Sequence, residues 1–130
     1  MTSSLPLVYA CAGCSLAGRV AYDIAQELTH RKVAQMSCLA GIAADLPVFT
    51  KQLHDREVWV IDGCPLECAK GIFDKEHRPV DRHIRLREYG VPKNESPRVR
   101  VDISVIADRI SEYQSGTVHI DQLENRATIP

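Results

Sequence analysis

Five cysteines, Cys11, Cys14, Cys38, Cys64 and Cys68, carry the chemistry available to this 130-residue chain. Taken singly, each reads as a small buried hydrophobe, which free cysteine often is. Taken together, they point to one thiolate-rich metal site. An odd count in a chain long enough to build its own core is not a disulfide framework. Thiolates are soft ligands that select zinc, cuprous copper or iron–sulfur clusters over hard cations. Zinc accepts four of them in a tetrahedron at about 2.3 Å with no redox change, so zinc is the first expectation. An iron–sulfur cluster uses the same ligands and is an alternative cofactor. Cys11-Ala-Gly-Cys14 also reads as a redox dithiol at a helix start. In that reading Cys14 is the nucleophile, activated by the helix dipole, and Cys11 resolves it in redox or sulfur-transfer chemistry.

The segments between the cysteines must position them. Leu5 to Ala10 is a short apolar run and predicts a strand, followed by a turn containing Gly13. Leu16, Val20, Ala21, Ile24, Ala25 and Leu28 recur at helical spacing, giving a helix to about Thr29 that Ser15 can cap. Lys32 to Ser37 predicts a weaker strand ending at Cys38, with Gly41 in the loop beyond. Leu46 to His54 predicts a short helix with Pro47 in its first turn. Val58-Trp-Val-Ile61 is apolar on both faces, as strands of covered parallel sheets are. Pro65 is expected to open the next helix, whose buried face is Leu66, Ala69, Ile72 and Phe73. His83 to Tyr89 alternates as an edge strand, and Asp102 to Tyr113 reads as a last amphipathic helix.

Strands alternating with helices predict a three-layer, Rossmann-like α/β sandwich with a mostly parallel sheet of about four strands. Residues 1–115 form the domain, and 116–130 a tail with one short strand at Val118 to Ile120. Right-handed crossovers put every strand-to-helix turn at one end of such a sheet, where open α/β proteins bind ligands. Cys11, Cys38 and Cys64 each follow a strand, so three segments deliver thiols to one rim. Cys64 and Cys68, four apart, are expected to share a helix face, and Cys64 and Cys14 to lie at helix N-termini that favour the thiolate.

These residues also carry a resemblance. Asp62-Gly-Cys-Pro-Leu-Glu-Cys-Ala69 after a buried strand, Cys11-Ala-Gly-Cys-Ser15 and Met36-Ser-Cys-Leu-Ala-Gly-Ile42 resemble, in order, the motifs of the DGC family. The likeness spans roughly residues 6 to 113, most of the chain, in three separate motifs. That family is named for its Asp-Gly-Cys motif, and its cysteines are taken to bind zinc. The resemblance implies a ligand set of Cys11, Cys38, Cys64 and Cys68, with Cys14 a possible fifth, exchangeable thiol. It implies no substrate and no reaction.

Other residues have lesser claims. Asp62 sits between the buried strand and the thiols, where it can hold the amides of the Cys64 turn in support of a metal site or cap the turn locally. Gly13 and Gly63 are expected to supply permissive dihedrals for tight turns. Of the five histidines, His30, His54 and His77 fall near helix C-terminal ends, away from the rim; His83 and His119 complete the set. Lys70 reads as a solvated helix residue, and the mixed charges from Asp74 to Arg87 as a solvated connection. A net charge of -1 offers no bulk attraction to nucleic acid or an anionic membrane. No apolar run nears the roughly 20 residues that span a bilayer, and Leu5 to Cys11 lacks the basic segment of a secretory signal. The expected compartment is the cytoplasm, the expected partner a metal ion.

Overall fold

A computed structural model describes residues 4–94 and 100–114 of the chain. Four strands, β1 (Leu7–Ala10), β2 (Gln35–Met36), β3 (Val58–Asp62) and β4 (Arg82–Arg85), form one sheet in the order β2-β1-β3-β4. Every pairing is parallel. The helices are α1 (Leu16–His30), α2 (Leu39–Ala43), α3 (Pro47–Thr50), α4 (Cys68–Lys75) and α5 (Ile103–Gln114).

The two central strands are buried along their whole length, apolar throughout except for Asp62 at the end of β3. Side chains alternate across the sheet. Val8, Ala10, Trp59, Ile61 and Ile84 pack with Val20, Ile24 and Leu28 of α1 and Ile106 and Ile110 of α5. Leu7, Tyr9, Val58 and Val60 pack on the other side with Ile42, Ala69 and Phe73 from α2 and α4. The Tyr9 and Phe73 rings meet edge-on, with centroids 5.0 Å apart. Each such large apolar side chain, taken fully from water, contributes about 1.5–3 kcal/mol. This is the three-layer α/β sandwich with helices on both sheet faces.

Ser15 caps α1 as expected: its hydroxyl accepts from the Gly18 N–H at 3.1 Å. Other local readings need correction. The second strand shrinks to Gln35–Met36, and Gly41 lies inside α2 rather than in a loop. A Cβ on Gly41 would stand 2.2 Å from the Phe49 ring, so close packing of α2 on α3 is what requires it. The predicted helix from Leu46 divides into α3 and a 3-10 turn over Lys51–Leu53. β4 stops at Arg85, and a 3-10 turn over Leu86–Tyr89 follows. The fourth helix opens at Cys68, not at Pro65. Glu67 before it adopts a left-handed conformation, φ 54°, which breaks any helix running from Cys64. The tail strand at Val118 to Ile120, and His119 with it, lie outside the described residues.

Candidate metal centre

Parallel pairing puts the carboxyl ends of all four strands along one edge, and Cys11, Cys38 and Cys64 each follow a strand there. Cys11 is the first residue after β1, and its N–H donates to the Ile61 carbonyl at 3.2 Å, continuing the β1–β3 ladder. Cys38 follows β2 by two residues and Cys64 follows β3 by two. The three strands are neighbours in the sheet. All five thiols are free.

The thiols differ in surroundings. Cys11 is half-buried, and its Sγ accepts the Gly63 N–H at 3.2 Å. Burial pushes the Cys11 thiol up from its ordinary value; the Gly63 amide opposes this, and the Asp62 carboxylate reinforces it. Cys38 is the N-cap of α2, its Sγ accepting from the Gly41 N–H at 3.3 Å. Helix-terminus placement holds for Cys14, next to the N-cap Ser15 of α1, and not for Cys64, which lies four residues before α4; Cys38 is the thiol that caps a helix. Cys64 is half-buried, while Cys14 and Cys68 are exposed. Cys64 and Cys68 do not share a helix face, because Cys64 precedes the turn and Cys68 begins α4. Among the described residues, no three His, Cys, Asp or Glu side chains stand close enough to hold one ion as folded.

Beneath the Cys64–Cys68 turn lies a polar cluster. Asp62 is 1% exposed. Its Oδ1 accepts from the Ala69 N–H at 2.9 Å, and its Oδ2 from the Lys70 N–H at 3.0 Å. His83 Nε2 lies 2.7 Å from the same Oδ2. The amides that Asp62 holds are those of the first turn of α4, not of the Cys64 turn itself. Glu67 is gripped by Arg85 at 2.8 Å and Arg87 at 3.2 Å, and the Arg85 hydrogen bond holds its carboxyl below the usual range. The stretch read as a solvated connection therefore supplies β4 and three side chains to the cysteine turn. His83 was not singled out in the sequence because no motif marks it. The available signal was register: His83 pairs with Val60 and Arg85 with Asp62 on the neighbouring strand.

Two glycines separate by role. Gly63 is needed because a Cβ there would sit 2.2 Å from the Ala17 carbonyl oxygen. Gly13 has nothing within 4 Å of its would-be Cβ. The strained residue of that turn is Ala12, at φ 24°. His30, His54 and His77 lie at the ends of α1, the 3-10 turn and α4, away from the rim as expected.

Residues 7–113 match the family model described as DGC domain. The chain is also 40% identical over 90 residues to the "Anaerobic and virulence modulator AnvM" of Pseudomonas aeruginosa, covering 68% of this chain and 69% of that protein. No solved structure matches it significantly.

Proposed function

Since the chain belongs to the DGC-domain family, we propose that it holds zinc in a cysteine-thiolate site at the sheet rim. Cys11, Cys38, Cys64 and Cys68 are the ligands. The observation that carries the reading is that three adjacent parallel strands are each followed within two residues by a cysteine, Cys11, Cys38 and Cys64, along one edge. The Gly63 N–H on Cys11 Sγ opposes the burial that otherwise favours the neutral thiol. The donor set suits a thiophilic ion in chemistry and in place. Completing it calls for movement of the loops that carry the thiols, since they stand apart as folded.

Bound zinc supplies a redox-inert tetrahedral thiolate centre. A domain with a full core does not need such an ion as a substitute for one. The rim is where α/β folds place ligands, so the centre is a working site rather than a staple. Free thiols in this number also persist best in a reducing cytoplasm, where we place the chain. Among the described residues, no helix is long and apolar enough to cross a membrane.

Metal analysis of protein purified under reducing conditions tests this. We expect about one zinc per chain, most of it lost in Cys64→Ser and most of it kept in Cys14→Ser. Retention of no metal, with all five thiols reacting freely, overturns the reading.

A second reading, thiol redox or sulfur transfer by Cys14 with Cys11, is favoured by one contrast: Cys14 is exposed beside α1 while Cys11 is half-buried. The relative's name ties that protein to anaerobic conditions, which suits an oxygen-responsive thiol or an iron–sulfur cluster on the same ligands. Colourless protein isolated without oxygen, carrying tight zinc, argues against both.

A further inference from the structure

His83 lies outside every motif in the sequence, yet its side chain is only 8% exposed and reaches the carboxylate beneath the thiol turn. We infer that His83 is a positioning residue of the thiolate rim: through Asp62 it fixes the first turn of α4, and with it Cys68 and the turn back to Cys64. The inference rests on the reading that Cys64 and Cys68 work together at that rim.

The first amides of a helix have no partner within it and need one from outside. Glu67, in the N-cap place of α4, is left-handed and makes no side-chain cap. Asp62 does this work from the end of β3, taking the Ala69 and Lys70 N–H groups, one on each oxygen. A carboxylate buried so deeply is unfavourable unless its remaining lone pairs are met, and its orientation must be held for the cap to form. His83 supplies the third donor, on Oδ2, from the neighbouring strand β4.

Among the described residues, His83 Nδ1 is buried without a hydrogen-bond partner. Nε2 is the ring nitrogen that is partnered, and opposite a carboxylate oxygen it is an N–H donor to Asp62. A second residue of β4 holds the same segment. Arg85, two positions on and so on the same face of the strand, grips Glu67 in the middle of the turn. One face of the edge strand clamps the Cys64–Cys68 segment twice, beneath it and beside it.

The test compares thiol placement in the metal-free, reduced, full-length chain. Iodoacetamide alkylation rates are read cysteine by cysteine by mass spectrometry in the parent, His83→Ala and His83→Gln. We expect His83→Ala to shift the Cys64 and Cys68 rates several-fold while Cys14, on another loop, keeps its rate. The Gln amide reaches the Nε2 position and restores the parent pattern. In the zinc-loaded protein, His83→Ala weakens zinc binding by about 10- to 100-fold in a chelator competition, and His83→Gln recovers it. Should His83→Ala not fold, His83→Asn, whose shorter amide falls short of Asp62, is expected to show the same shifts. Cys64 and Cys68 rates that move no more than the Cys14 rate overturn the inference, as does a folded Gln variant that behaves like Ala. A parent protein that takes up no zinc removes the metal reading alone, because the alkylation comparison still decides the role of His83.

Discussion

Gly63 packs so tightly against Ala17 that a Cβ on it would stand 2.2 Å from the Ala17 carbonyl oxygen and 2.8 Å from the Gly18 amide nitrogen. The backbone after β3 is wedged into the first turn of α1, the helix that follows the Cys11–Cys14 turn. Two of the three cysteine-bearing turns are therefore one packing unit, tied again by the Gly63 N–H to Cys11 Sγ. The obstacle is backbone, which cannot swing aside as a side chain can.

Gly63→Ala is accordingly expected to destabilise the metal-free protein by roughly 2–3 kcal/mol through overpacking. Urea unfolding followed by the fluorescence of Trp59, the one tryptophan and a core residue, measures it. Gly71, in α4 with open space around its would-be Cβ, is the control. Gly71→Ala should stabilise by about 0.5–1 kcal/mol through helix propensity and a less free unfolded chain. Equal effects at the two positions would remove the steric account of Gly63.

Asp62 gives a second prediction. Asp62→Ala leaves three buried or half-buried donors without their acceptor: the Ala69 and Lys70 amides and His83 Nε2. The expected loss is about 3 kcal/mol or more, the range for breaking a buried charged network. Asp62→Asn recovers only part, because its amide nitrogen turns a donor toward a donor. A change in Asp62→Ala below about 0.5 kcal/mol, the scale of an ordinary surface substitution, would sink the capping role.

The layers of the fold were legible because their signals are periodic. The run Val58 to Ile61 and the helical spacing from Leu16 to Leu28 lead to β3 and α1 almost to the residue. The rim was legible too, since parallel order alone sends Cys11, Cys38 and Cys64 to one edge. The start of α4 was not. Pro65 is a favoured opening residue, and the left-handed turn at Glu67 that delays the helix to Cys68 leaves no local mark. The contacts around it come from distant residues: Asp62 holds an amide just beyond it, and Arg85 and Arg87 hold the Glu67 carboxylate. His83 was illegible for the same reason: it stands 21 positions from Asp62, and only the β3–β4 register brings the two together. Gly41 followed the same rule, its need set by Phe49 across a helix contact.

The final prediction concerns alkaline pH. Burial raises the ionisation of Cys11 above its ordinary 9.0, and of Tyr9 and Tyr89 above their ordinary 10.0. Each group is favoured neutral in the fold and ionises more readily once unfolded. Their contribution to stability is complete below the unfolded values and is lost as pH rises through the folded ones. The metal-free protein should therefore hold a steady urea midpoint near pH 8 and lose it progressively above about pH 9–10. Tyr89→Phe, which cannot ionise, should flatten the fall, and Cys11→Ser should remove its earliest part. Urea titrations of the three proteins across this span decide the matter. A parent midpoint that stays level or rises there would show that these three groups do not govern the alkaline limit of the fold.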